Sequence, residues 1–338
     1  MTPGPLMIDL DNTTLTGEDR ELLRHPLVGS VIYFSRNYES PQQLAALTAA
    51  IRDVRPELCI AVDYEGGRVQ RFRDGFTRLP PMRRVGELYA RDAEAGLQLA
   101  EVVGRLMAVE LGAMDIDMPL APVVDLDTGC CEVIGDRAFD AGAPAVLALS
   151  LALRRGLNQG GMAATAKHFP GHGSVREDSH HELPVDPRSL DELGGDLAPY
   201  RGLIAQGLES VMMAHIRYPA VDEAPASLSS HWIQTRLRSE LGFRGVVFCD
   251  DLSMGGAASV GDYRVRARLA LDAGCDVLPV CNNRAAVIEL LADFAHERAM
   301  DGAERRAGLK RSAGRAADAQ ALQAQMQSLL SRLPGDAA

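Results

Sequence analysis

Gly245-Val246-Val247-Phe248-Cys249-Asp250-Asp251 is an apolar, β-branched run that ends in two acids. A strand with one wet face alternates polar and apolar residues; this one is apolar at every position before the acids, as a strand covered on both faces must be. Just upstream, Leu241-Gly242 carries the glycine that commonly ends a helix, so a helix feeds the strand. The same signals recur along the chain, and strands are expected at Pro5–Leu10, Val28–Phe34, Leu58–Asp63, Asp115–Ala121, Ala163–Lys167, Ser210–Ile216, Gly245–Asp251 and Cys275–Cys281. Strands that alternate with helices make parallel βα units, and eight of them predict an α/β protein built as a single (β/α)8 TIM-type barrel.

The helical stretches carry their own start signals. Ser40-Pro41-Gln42-Gln43 combines an N-cap serine, a proline at the first helical position and a capping-box glutamine, after which Leu44, Leu47, Ile51 and Val54 form one stripe. Ser189 and Glu192 repeat the box. No linker rich in Pro, Gly and Ser divides the chain, so residues 1–338 are expected to form one domain. The Ala/Arg/Gln-rich stretch from about residue 300 to residue 338 is expected to be a helical tail packed on the outside of the barrel.

At 338 residues and 46% hydrophobic content the chain can bury one large core. Its 35 Lys and Arg against 46 Asp and Glu give a net charge of -11, which disfavours the phosphate contacts that dominate nucleic-acid binding. The start, MTPGPLMIDLDNTT, lacks the basic and apolar regions of a signal peptide, and no stretch reaches the roughly 18 apolar residues of a membrane span. A soluble, cytoplasmic protein with no membrane partner is expected. The cysteines, Cys59, Cys130, Cys131, Cys249, Cys275 and Cys281, show no CxxC pairing and read as reduced thiols, most of them in apolar runs.

Barrels of this kind carry their functional groups at the C-terminal ends of strands. One aspartate there is an ordinary helix cap, and one lysine is ordinarily solvated. Here Asp63, followed by Glu65-Gly66-Gly67-Arg68 and Arg71, ends the third strand; Lys167-His168 ends the fifth; His215 ends the sixth; Asp250-Asp251 ends the seventh. Such a set on one rim converges on one pocket if the barrel closes.

His168-Phe169-Pro170-Gly171-His172-Gly173 opens a connection that runs to Arg188, longer than the roughly 12–15 residues usual in a compact domain. It holds four histidines, His168, His172, His180 and His181, with Asp178 two positions before His180. A metal site would need an ordered ligand spacing such as HExxH, which the loop lacks. The stronger reading is an Asp178–His180 dyad in which the carboxylate fixes the imidazole and raises its basicity. Gly171 and Gly173 are read as giving the loop freedom to move over a substrate.

With these residues in view, the chain resembles glycoside hydrolase family 3, in its bacterial single-domain β-N-acetylhexosaminidase branch. The resemblance rests on Phe34-Ser35-Arg36-Asn37, on Asp63-Tyr64-Glu65-Gly66-Gly67-Arg68-Val69-Gln70-Arg71 and on Val133-Ile134-Gly135-Asp136-Arg137. Lys167-His168-Phe169-Pro170-Gly171-His172-Gly173, Asp178-Ser179-His180 and Asp250-Asp251-Leu252-Ser253-Met254 complete it, in family order over about the first 280 residues. It implies that Asp250 is the nucleophile of a covalent glycosyl-enzyme and that His180 is proton donor and acceptor, with Asp178 as its partner. It further implies that Asp63, Arg71, Arg137, Lys167 and His168 hold a terminal N-acetylglucosamine, with no metal and no cofactor.

The implied substrate is a small molecule, a disaccharide or muropeptide such as N-acetylglucosaminyl-β-1,4-anhydro-N-acetylmuramic acid. It would be cleaved by a monomer in cell-wall recycling, with consequences for cell shape and division. Two departures stand out: a histidine replaces the second carboxylate of most retaining glycosidases, and Cys249 stands where the family pattern expects Ser or Thr. The same residues leave two alternatives, a phosphorylase in which phosphate replaces water and a sugar-binding protein without chemistry. Asp250→Ala is expected to abolish turnover of an aryl β-N-acetylglucosaminide and leave the fold intact by circular dichroism. Loss of turnover in Asp251→Ala but not in Asp250→Ala would transfer the role to Asp251.

Overall fold

The structure, a computed structural model, describes residues 3–177, 179, 183–258, 260–293 and 299–334. Among the described residues eight parallel strands follow one another in chain order: β1 (Leu6–Asp9), β2 (Val28–Tyr33), β3 (Cys59–Val62), β4 (Met118–Pro119), β5 (Thr165–Phe169), β6 (Ser210–Met213), β7 (Val246–Phe248) and β8 (Leu278–Val280). Each lies within or overlaps an expected run. They form a five-stranded sheet, β8-β1-β2-β3-β4, and a three-stranded sheet, β5-β6-β7. Among the described residues the ladder is not continuous around the ring: the sheets meet at the parallel bridges Val123↔Lys167 and Phe248↔Val277 and through bonds such as Thr165 N to Ala121 O at 2.8 Å.

β4 is far shorter than the expected Asp115–Ala121 because Pro119 and Pro122 have no N–H to give a neighbour. Asp115, at φ 55°, belongs instead to the turn that ends the helix Ala93–Ala113. Among the described residues no helix is long and apolar enough to cross a membrane.

Strand alternation sorts the core into two layers. Met7, Ile32, Cys59, Ala61, Met118, Met212, Val246 and Phe248 form one cluster inside the ring. Their neighbours Leu6, Ile8, Val31, Ile60, Val62, Val211 and Val247 join the larger cluster beneath the helices.

Three times the N-terminal ends of neighbouring strands are tied by the same device. Arg52 Nη2 meets Asp117 Oδ2 at 2.8 Å, and that oxygen accepts Ile60 N at 2.8 Å. Arg154 grips Glu209 at 2.6 Å, whose other oxygen accepts Ala164 N at 3.2 Å. Arg238 Nη2 meets Asp276 Oδ2 at 2.8 Å, and that oxygen accepts Val247 N at 2.9 Å. In each case a helix supplies the arginine, the strand that follows it supplies an N–H, and the next strand's approach supplies the carboxylate.

The helix starts are as expected in part. Ser40 Oγ accepts Gln43 N at 3.2 Å, but the Gln43 side chain reaches back to Glu39 N at 2.9 Å, one residue further than a capping box would. Leu44, Leu47 and Ile51 are buried. Ser189 and Glu192 do pair, yet the helix begins later, at Gly194, and their bonds close a preceding turn.

The tail departs from one outer helix. It breaks into helices Ala303–Ala307 and Ala319–Leu330, the second resting on the helix Ala93–Ala113. Between them Leu309 is buried and joins the inner cluster with Cys59 and Val246, residues at the beginning of their strands. The tail therefore reaches the floor of the ring as well as its outside. Buried Arg306 fastens it there, donating to the carbonyls of Pro3 (2.9 Å), Asp276 (3.0 Å) and Asp301 (2.6 Å).

Removing one partner of a buried ion pair strands the other, a loss of about 3–5 kcal/mol. Asp276→Ala is expected to lower unfolding free energy by about 3 kcal/mol. Arg78→Ala, which removes an exposed pair with Asp74, should cost under about 0.5 kcal/mol. Urea denaturation of the two variants checks the difference.

Candidate active site

The C-terminal ends of the strands open into a cleft of about 440 Å³, lined by Asp63, Glu65, Arg71, Arg137, Lys167, His168, His172, Ser179, Asp250 and Asp251 over an apolar floor that includes Ile32, Leu120 and Met212. Asp63 follows β3, and the short hairpin Tyr64–Gly66 with Val69–Gln70 then turns the chain so that Arg71 comes back beside it. Arg71 Nη2 donates to Asp63 Oδ2 at 2.8 Å and its guanidinium lies 5.4 Å from the Phe34 ring centre. Gly66, at φ 99°, takes the turn that a side chain would resist, and a Cβ there would meet Pro80 O at 2.4 Å.

Lys167 is buried and reaches both acids, Asp63 Oδ1 at 3.1 Å and Glu65 Oε1 at 2.6 Å. Arg137, from the turn Gly135–Arg137, grips Glu65 with two parallel bonds of 2.8 and 2.9 Å. Burial alone would raise the carboxyl pKa of Asp63 and of Glu65. The charges of Lys167 and Arg71 on the first, and of Arg137 and Lys167 on the second, outweigh it and hold both groups well below the usual carboxylate range. Glu65 is thus held as an anion by Arg137 and Lys167. Burial likewise opposes the Lys167 charge, yet Glu65 and Asp63 hold its pKa above the usual lysine value.

Lys167 and His168 are consecutive, and along a regular strand their side chains would face opposite ways. Both line the cleft. The pairing of β5 with β6 slips here, Lys167 opposing Met212 and Phe169 opposing Met213, so His168 is the extra residue of a bulge and is re-aimed. Its Nδ1 meets buried Asp125 at 2.8 Å.

Asp251 and Asp250 both line the cleft and differ in the bonds they accept. Asp251 accepts Ser253 N (2.9 Å) and Cys281 N (3.1 Å) on one oxygen and Ser253 Oγ (2.7 Å) on the other. Burial pushes its pKa up to about 6, against these hydrogen bonds. Asp250 accepts Asp251 N at 2.9 Å and lines the cleft. Cys249 is buried and directs its thiol at Ser227 O, 3.9 Å away, with its pKa raised by burial.

His215 corrects the rim reading. It is fully buried and does not line the cleft, because its ring is committed behind it: Nε2 donates to Asp251 O at 3.0 Å and Nδ1 faces Ser227 Oγ at 2.6 Å. The glycines of the loop are also accounted for by space. A Cβ on Gly173 would sit 1.7 Å from Leu126 O, and one on Gly171, at φ 153°, would strike Asp196. Asp178 and His180 lie outside the described residues; Ser179 between them is described and buried. Among the described residues no group of three or more His, Cys, Asp or Glu is placed to hold a metal ion. Sequence reading missed Asp125, which the strand-end rule would have found had the fourth strand's loop been followed past Pro122.

Residues 7–313 match the glycosyl hydrolase family 3 N terminal domain. The chain belongs to glycoside hydrolase family 3. It is 52% identical over 296 residues to a beta-hexosaminidase of Methylobacillus flagellatus, covering 87% of this chain and 85% of that one. A beta-hexosaminidase of Bordetella avium is 53% identical over 294 residues, 86% of this chain and 84% of its own. The crystal structure of NagZ from Neisseria gonorrhoeae superposes with a TM-score of 0.91 at 44% identity, covering 98% of each chain. The same protein in complex with N-trifluoroacetyl-D-glucosamine gives a TM-score of 0.91 at 45% identity, over 98% of this chain and 99% of that one. The family fold is the TIM-like barrel, and the cleft occupies the end of it where such folds carry chemistry.

The raised Asp251 pKa has a signed consequence. A carboxyl that binds its proton more tightly folded than unfolded contributes most below its unfolded value, near pH 4, and that contribution is lost as pH rises to about 6. Asp251→Asn should remove this slope, so the difference in urea midpoint between wild type and variant is expected to shift in the variant's favour between pH 4 and pH 6. An unchanging difference would place the titration elsewhere.

Proposed function

We propose that this chain is a retaining, exo-acting β-N-acetylglucosaminidase that removes a non-reducing terminal β-1,4-linked N-acetylglucosamine from peptidoglycan fragments through a covalent glycosyl-Asp250 intermediate. It is a glycoside hydrolase of the β-N-acetylhexosaminidase type, as its similarity to the beta-hexosaminidases supports. The observation that supports the reading is the cleft itself: Asp250 lines it together with Asp63, Lys167 and His168, and Asp251, which lines it too, has both oxygens accepting from Ser253 and Cys281.

In this reading Asp63, Arg71, Arg137, Lys167 and His168 grip the hydroxyls of the terminal sugar, for which charged donors and acceptors give short, directional bonds. The complex of the gonococcal protein with a glucosamine derivative supports a sugar of that size as ligand. Asp250 attacks the anomeric carbon as protonated His180 gives its proton to the leaving oxygen; neutral His180, held by Asp178, then takes a proton from the water that frees the sugar. Residues 1–338 act as one catalytic domain, the tail serving as floor and buttress. Recycling of cell-wall fragments in the cytoplasm is the setting proposed, by a monomer.

The test is the leaving group. A positioned proton donor supplies roughly 10²–10⁴ in rate where the leaving oxygen is a strong base, and nitrophenolate needs little help. His180→Ala is expected to damage cleavage of N-acetylglucosaminyl-anhydro-N-acetylmuramic acid far more than that of the nitrophenyl glycoside. Azide should rescue the second step and give a β-glycosyl azide. Equal damage to both substrates without azide product would remove His180 from the chemistry, and a sugar 1-phosphate formed only in phosphate buffer would show a phosphorylase.

A further inference from the structure

No step of the proposed reaction uses Arg68, yet it joins the two segments that bring arginines to the cleft. It follows the turn at Gly66-Gly67 in the hairpin that leads to Arg71. Its guanidinium crosses to the other segment: Nε donates to Asp136 Oδ1 at 3.0 Å, and Nη2 donates to Glu132 O at 3.0 Å and Val133 O at 2.5 Å. Arg137 claims the same carbonyl from its own side. Its Nη1 donates to Val133 O at 3.0 Å, while its Nε and Nη2 grip Glu65. Val133 O is therefore shared by both guanidinium groups, and Arg68, Val133 and Arg137 all line the cleft.

The two segments are unequally anchored. Buried Gln70 fixes the hairpin, its Nε2 donating to Phe72 O at 3.0 Å and Thr77 O at 2.8 Å and its Oε1 accepting Leu79 N at 3.0 Å. Arg73 Nη2 adds a bond to Arg68 O at 3.2 Å. The segment before Arg137 has less beneath it: Cys131 and Ile134 belong to a small cluster with Val123 and Ala138, apart from the main core. We infer that Arg68 is a positioning residue for sugar binding, a strap that holds the turn Gly135–Arg137 against the hairpin so that Arg137 stands where the terminal sugar meets it. The inference rests on the reading of Arg137 as a sugar ligand. Stability is not what the strap supplies. The side chain of Arg68 is 48% exposed and that of Asp136 45%, and an ion pair so exposed contributes little to folding. Its effect is on place, where a misplacement of about 1 Å can cost ~100-fold.

The test is a double-mutant cycle of Arg68→Ala and Arg137→Ala, with Arg68→Lys alongside. The probe is N-trifluoroacetyl-D-glucosamine, the ligand in the complex of the gonococcal protein, whose fluorine reports binding by NMR without any need for turnover. Urea denaturation follows the fold. Arg68→Ala is expected to raise the dissociation constant on the order of tenfold and leave the urea midpoint unmoved. In the Arg137→Ala background the same change should raise it less than about twofold, because residues that act through one another are not additive. Arg68→Lys keeps the charge, but one ammonium cannot replace a fork that spans Asp136 and two carbonyls, so most of the loss should persist. An equal loss in both backgrounds would overturn the strap, showing direct contact with the sugar or general damage. Full rescue by lysine would overturn it as well, since charge alone would then suffice. So would wild-type binding in Arg68→Ala when Arg137→Ala is weakened. If Arg137→Ala itself binds the probe as wild type does, the reading of Arg137 as a sugar ligand fails first, and this inference falls with it.

Discussion

An arginine that meets a carboxylate at the floor of the ring does more than neutralise a charge. The acid simultaneously accepts the N–H at the start of the preceding strand, so the Arg52–Asp117–Ile60, Arg154–Glu209–Ala164 and Arg238–Asp276–Val247 sets fix a helix, the strand it feeds and the next strand together. Register is the quantity at stake, since a one-residue slip would exchange the inner and outer faces of a strand. With β3, β5 and β7 each tied to the strand that follows, Cys59 and Ala61 stay inside while Ile60 and Val62 stay beneath the helices. The interrupted ladder between the sheets makes these ties more consequential, because two of the ring's joints rest on isolated bridges.

The opposite end uses charge differently. At the floor an acid is satisfied by an arginine and a backbone N–H; in the cleft, Asp63, Glu65, Lys167, Arg71 and Arg137 satisfy one another while remaining on the wall of a cavity. Burying charge is costly unless it is paired. The pairing here leaves an array of charged donors and acceptors standing on the cleft wall. Apolar side chains from the inner layer, Ile32, Leu120 and Met212, supply its base.

How far the sequence could be read follows from which signals are local. The apolar runs and strand-end charges are local, and they marked runs that contain or overlap all eight strands and put Asp63, Arg71, Lys167, His168 and Asp250 on one cleft, whereas Arg137 entered only through the family resemblance. Three features were not legible because they depend on partners distant in the chain. His215 ends its strand as the others do, but Ser227 and the Asp251 carbonyl take its ring out of the cleft. Gly171 and Gly173 read as hinges, yet Asp196 and Leu126 occupy the space beside them. The tail's composition suggested one surface helix, and nothing in it announced that Leu309 would be an inner residue or that Arg306 would bind four carbonyls, among them that of Pro3.

That last contact bears on how the molecule is made. Translation delivers β1 well before β8 and Leu309, yet β1 pairs with β8 and Leu309 packs among the inner residues. A nascent chain that has emerged only as far as β7 exposes the edges of β1 and β7 together with an unplugged apolar interior, the kind of surface that recruits chaperones or other chains. Completion is therefore a late event, decided when the residues after Asp276 leave the ribosome and Arg306 reaches back to Pro3. A chain cut short before residue 306 would lack both the Arg306 tie to Pro3 and the apolar Leu309 that sits with Cys59 and Val246.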